Sequence, residues 1–161
     1  DPVMKEHQRL EKLMALRQQR LRRAENALAE QQQRCRHDAE QLAAMTEQLA
    51  SQRQDFDRHE QAWFKATAND QLSATQIDDV RQAMDDHYRA QAALHAQHDQ
   101  LNQQYQLHLS ERDKRSMEWA RCVRSQRALE MLQDRHRDTQ QRRLELHAEL
   151  ETEDATSRRG R

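Results

Sequence analysis

The chain has 161 residues, of which 34% are charged and only 35% hydrophobic, with a formal net charge of −1. Ordinary domains are roughly 45–50% apolar and about 25% charged. A large three-dimensional core is excluded, which leaves disorder or long helices that each bury a narrow stripe. The single proline is Pro2 and the single glycine is Gly160, so no breaker stands between them. The dominant residues favour helix. The expected fold class is all-α, two long helices forming an antiparallel coiled-coil hairpin, as a single coiled-coil domain over residues 1–161.

The first helix is expected over residues 4–68. Asp1-Pro2-Val3 ahead of Met4 reads as a cloning remnant, with the native start at Met4. Met14, Leu21, Leu28, Cys35, Leu42, Leu49, Phe56 and Trp63 are each seven residues apart. Such a repeat holds one seam against a partner helix by left-handed supercoiling. The companion series is weaker. Leu10, Ala24, Met45 and Ala66 fit it, whereas Arg17, Gln31, Asp38, Gln52 and His59 do not. The coil is therefore expected to form without being tightly stable.

A turn is expected over residues 69–73. Asn69-Asp70 is a turn-type pair. Ser73 and Gln76 have capping-box spacing, and Leu72 with Ile77 takes the hydrophobic-staple positions around a helix start at Ser73. The second helix is expected over residues 74–152. Its apolar series is Ile77, Val80, Met84, Leu94, Leu101, Tyr105, Trp119, Cys122, Leu129 and Leu150. His87, His98, His108, Arg112 and Arg115 interrupt it at nominal core positions. Residues 153–161 are polar and small and are expected to fray.

A short turn forces the helices antiparallel. Folding near residue 71 sets residue i close to 143 minus i, within about one helical turn. Trp63 then lies by Val80 and Ile77, Leu49 by Leu94, Leu42 by Leu101, Leu21 by Cys122 and Trp119, and Met14 by Leu129. Leu28 and Cys35 face the region of His108, Arg112 and Arg115, where the packing is expected to be softest. The rise per residue gives a rod on the order of 90–100 Å long.

Charge is segregated along the chain. Residues 9–36 carry eight Lys/Arg and three Asp/Glu, residues 111–143 ten and six, and residues 37–110 five and twelve. The hairpin brings the two basic segments together at the open end and leaves the turn half acidic, a polarity suited to two different partners.

Sites of chemistry are sparse. Without an internal glycine there is no phosphate-cradling loop, and a two-helix hairpin offers little concavity. No catalytic residue and no cofactor are expected. His7, His37, His59, His87, His95, His98, His108, His136 and His147 complete no four-ligand set with Cys35 or Cys122. A disulfide is not expected, because the register separates the two cysteines by about 20 Å. No apolar run approaches about 18 residues, so neither direct membrane insertion nor a signal-peptide core is expected. Two cysteines without such a signal point to a reducing cytoplasm. Nucleic acid is disfavoured as a partner by the net charge and by aromatic residues at 4%.

The stretch from Leu16 to Gln33, LRQQRLRRAENALAEQQQ, carries a further signal. Leu10, Leu13, Leu16 and Arg17 form Leu-x-x-Leu-x-x-Leu-Arg. Arg23, Ala24, Glu25, Ala27 and Leu28 supply Arg-Ala-Glu-x-Ala-Leu, followed by a glutamine run. In these blocks, and in length and two-helix layout, the chain resembles the FliJ/YscO-type stalk proteins of type III secretion and flagellar export.

That resemblance implies a cytoplasmic, non-catalytic coiled coil, peripheral to a membrane-embedded secretion apparatus. Its paired terminal ends would enter a hexameric export ATPase, its turn half would reach an export-gate membrane protein, and secretion chaperones would be further partners. On this sequence the ATPase-facing residues would be Arg17, Arg20, Arg22, Arg23, Arg121, Arg124 and Arg127. The gate-facing residues would be Trp63, Phe64, Leu72, Ile77 and Val80. Two other readings stay open: a structural coiled-coil spacer or oligomerisation arm, and a basic-ended nucleic-acid binder.

Overall fold

The computed structural model describes residues 1–160. The chain is all-α, a hairpin of two long helices, α1 over Pro2–Ala68 and α2 over Ala74–Arg159. The expected helix start at residue 4 is moved to Pro2, because Asp1 Oδ1 accepts the Val3 N–H at 3.2 Å and proline at a first helical position has no N–H to satisfy.

α1 ends in a Schellman motif. Asp70 sits in the left-handed region at φ 51°. The Gln71 N–H reaches the Ala66 carbonyl at 3.0 Å, and the Asp70 N–H reaches the Thr67 carbonyl at 3.2 Å. These bonds satisfy carbonyls that a helix end otherwise leaves open. Lys65 in the last turn complements the helix dipole.

α2 then starts on a reciprocal capping box. Ser73 N–H donates to Gln76 Oε1 at 2.9 Å, and Gln76 N–H donates to Ser73 Oγ at 3.2 Å. Leu72 is half-buried, whereas Ile77, its expected staple partner, is 39% exposed.

At its far end α2 does not stop near residue 152. It continues to Arg159, with Gly160 in the closing turn. Polar composition suggested an end there, but no breaker precedes Gly160. Thr152, Thr156 and Ser157 hydroxyls donate back to the carbonyls of Ala148, Thr152 and Asp154, which keeps them compatible with helix. Arg161 lies outside the described residues.

The chain divides into two compact units. The first comprises Asp1–Leu28 with Arg115–Arg161, and the second Ala29–Lys114. In the first unit Ala24, Gln126 and Leu129 are buried, flanked by half-buried Met14, Leu21, Leu28, Trp119 and Cys122. Leu150, expected on the seam, is 58% exposed.

In the second unit Gln31, Cys35, Asp38 and Phe56 are buried. Leu42, Met45, Leu49, Leu94, Leu101 and Tyr105 are half-buried. All eight heptad positions from Met14 to Trp63 are thus buried or half-buried.

Cross-helix contacts follow the expected register to within about one turn. Arg17 Nη1 donates to Ser125 Oγ, Gln31 Nε2 donates to the His108 carbonyl at 2.9 Å, and Phe56 stacks on His87 with centroids 3.8 Å apart.

The region expected to pack most softly is instead a site of deep burial. Gln31 is 3% exposed, Cys35 6% and Asp38 2%. Two residues that break the α1 companion series meet the histidine that breaks the α2 series. Asp38 Oδ2 binds His108 Nδ1, and Gln31 binds the carbonyl of the same histidine. Polar residues scored as misfits on each helix alone satisfy one another across the seam.

Candidate functional site

The arginines of the first unit are placed by helical spacing. Arg17, Arg20 and Arg23 recur every three residues of α1 and so share one flank of the helix. On α2, Glu118, Arg121, Cys122 and Ser125 recur at three- and four-residue spacing. The register brings the two rows together around adjoining hollows.

One hollow, of about 120 Å³, is lined by Arg17, Arg20, Glu118, Arg121, Cys122 and Ser125. Its neighbour, of about 240 Å³, is lined by Arg20, Arg23, Ala24, Ala27, Arg115, Glu118 and Cys122. Glu118 belongs to both, and its Oε2 lies 3.3 Å from Arg121 Nη1. Both partners of that pair are more than half exposed, so it contributes little to stability.

Arg17 is half-buried. Its Nη1 is held by Ser125, but its Nε is enclosed without a hydrogen-bond partner. Arg17, Arg20, Arg23 and Arg121 are therefore brought together. Arg22, Arg124 and Arg127 are exposed and line neither hollow. Arg124 and Arg127 continue the three-residue row from Arg121 but wind out of both hollows, where Cys122 and Ser125 take the inner positions. The sequence reading did not single out Glu118, whose signal was its spacing one turn before Cys122.

Of the five turn-proximal candidates, Trp63, Leu72 and Val80 line one hollow of about 320 Å³ with Gln76 and Asp79. Phe64, 63% exposed, and Ile77 stand outside it. Trp63 is half-buried and joins an aromatic cluster that sequence reasoning did not assemble. Phe56 contacts Trp63 edge-on at 5.8 Å and Tyr88 edge-on at 5.7 Å, and His59 stacks on Trp63 at 5.9 Å. The signal was available: the register sets 56 against 87, but His87 read as a seam interruption.

A further hollow of about 430 Å³ lies between Gln41, Ala44 and Met45 of α1 and Gln97, Gln100, Leu101 and Gln104 of α2.

Among the described residues, no group of three or more His, Cys, Asp or Glu is placed to hold a metal, and no helix is long and apolar enough to cross a membrane. Cys35 is buried, Cys122 half-buried, and both are free thiols. No protein-family model matches the chain, and neither a curated protein nor a solved structure is significantly similar to it.

Proposed function

We propose that this protein is a non-catalytic stalk of a bacterial type III secretion export apparatus. The unit that contains the paired terminal segments would bind inside the hexameric export ATPase, and the unit that contains the turn would contact the export gate. Export chaperones are further candidate partners.

One observation supports this reading above the others. The fold gathers Arg17, Arg20, Arg23 and Arg121 from two helices onto one flank of a unit that carries eighteen Lys/Arg against thirteen Asp/Glu, a net +5. The other unit carries nine against fifteen, a net −6. A spacer has no need of such a division.

Exposed arginines that meet acidic or carbonyl-rich loops contribute roughly 0.2–1 kcal/mol each. Contacts of that size suit a rotating or transient fit better than a dry interface does. The half-buried Trp63 with Leu72 and Val80, and the exposed Phe64, give the other unit an aromatic and aliphatic surface of the kind that anchors interfaces.

The test mixes the protein with its cognate export ATPase and follows ATPase oligomerisation and turnover. The expected result is stimulation by the wild type and its loss with Arg20→Glu/Arg23→Glu/Arg121→Glu. An ATPase indifferent to the wild-type protein, or equally stimulated by the triple variant, would overturn the reading.

A further inference from the structure

α2 has one exposed flank that changes character along its length. Arg121 borders the basic hollow at one end. Leu132, Leu146 and Leu150, at 58% exposure each, lie about three, seven and eight helical turns beyond it, on the same side of the helix. Around the last two leucines the chain reads LELHAELETED over residues 144–154, with Glu145, Glu149, Glu151, Glu153 and Asp154 and no Lys or Arg. Every residue from 141 to 160 is exposed. The flank thus carries Arg121 at one end, Leu132 with the exposed Arg135, Arg142 and Arg143 along its middle, and an acidic, leucine-bearing stretch beyond residue 144, all within one compact unit.

The two ends of this flank are complementary when one copy is inverted against another. We propose that this flank pairs two copies of the chain in an antiparallel, two-fold dimer, with the acidic stretch of each copy seated on the arginine-lined hollows of the other. A two-fold axis near residue 135 sets Arg121 of one copy against Glu149 of the second copy, and the reverse pair forms by symmetry.

The same axis brings the two Leu132 side chains toward the centre, where apolar area is most useful to an interface, beside the two exposed Arg135 side chains, whose like charge the contacts at the two ends must outweigh. Leu146 and Leu150 of the second copy reach the hollow whose lining includes Ala24 and Ala27, while the glutamates beside them meet Arg20, Arg23 and Arg121.

The experiment is sedimentation equilibrium on the full chain at roughly 50 mM and 500 mM salt, a range that screens exposed charges strongly. A dimer at the lower salt, weakened at least about tenfold at the higher, is expected. Arg20→Glu/Arg121→Glu alone and Glu149→Arg/Glu153→Arg alone are each expected to be monomeric under conditions where the wild type dimerises. An equimolar mixture of the two variants restores the dimer, because both contacts in the mixed pair regain opposite charges.

A wild type that stays monomeric at about 100 µM in low salt, a dimer indifferent to both variants, or a mixture that stays monomeric would overturn the proposal. The acidic-stretch variant also separates this inference from the stalk reading, since it removes self-association and leaves the arginines that would meet the ATPase intact.

Discussion

The unit built from Asp1–Leu28 and Arg115–Arg161 and the unit built from Ala29–Lys114 draw on the same two helices but differ in how they use their polar and charged residues near the seam. In the second unit they turn inward and pair: Asp38 with His108 Nδ1, Gln31 with the His108 carbonyl, and His87 against the face of Phe56. In the first unit Gln126 is buried with its Oε1 unpartnered, Arg17 reaches across the seam to Ser125, and Arg20, Arg23 and Arg121 stay exposed at the flanks. The difference separates charges committed to holding the helices together from charges available to a partner. A polar residue at a core position says nothing of its role until its opposite number is known.

The sharpest way to break that contrast is to remove one half of the buried pair. Asp38→Ala leaves His108 without its carboxylate and opens space at a position that is only 2% exposed. A loss of about 3 kcal/mol is expected in urea unfolding followed by circular dichroism. Replacing Asp38 and His108 together by leucine is expected to be neutral or stabilising, which tests whether the pair supplies register more than stability. Equal damage from the single and double changes would show that the Asp38–His108 pair is not the reason for the first loss.

Phe56→Ala removes the centre of the aromatic cluster and is expected to cost about 3 kcal/mol in the same assay. The turn comes next. Ser73→Ala with Gln76→Ala removes both capping bonds at a cost of about 1 kcal/mol. Asp70→Gly relieves a left-handed residue and is expected to raise stability by about 1 kcal/mol. A destabilised Asp70→Gly would mean that the aspartate side chain holds the turn.

The smallest effect is expected in the first unit. Arg20→Glu/Arg23→Glu/Arg121→Glu should leave the unfolding free energy of the monomer nearly unchanged in the urea assay, within about 0.5 kcal/mol, because exposed charges away from a core contribute little. A large loss there would make those arginines structural and erase the contrast between the two units.

Much of the architecture was legible because it rests on local, periodic signals. The heptad series from Met14 to Trp63, the empty interval between Pro2 and Gly160, and the Ser73/Gln76 spacing are properties of nearest neighbours along a helix. They determined two helices, the place of the turn and, through the turn, the register. The candidate surfaces were legible only in part. Composition identified an arginine-rich segment, but it did not say that Arg22, Arg124 and Arg127 stand apart from Arg17, Arg20, Arg23 and Arg121, or that Glu118 sits among the latter.

By itself, then, the sequence determined where helix forms and where it reverses, because those depend on backbone preference and spacing within a few residues. Only the tertiary structure decided which polar residues are buried and which are offered to solvent. That outcome depends on the residue brought opposite from some 70 to 110 positions away, as with Gln31 and Asp38 at His108 and Arg17 at Ser125. A hydrogen-bonding group can be buried at low cost only when its complement arrives with it.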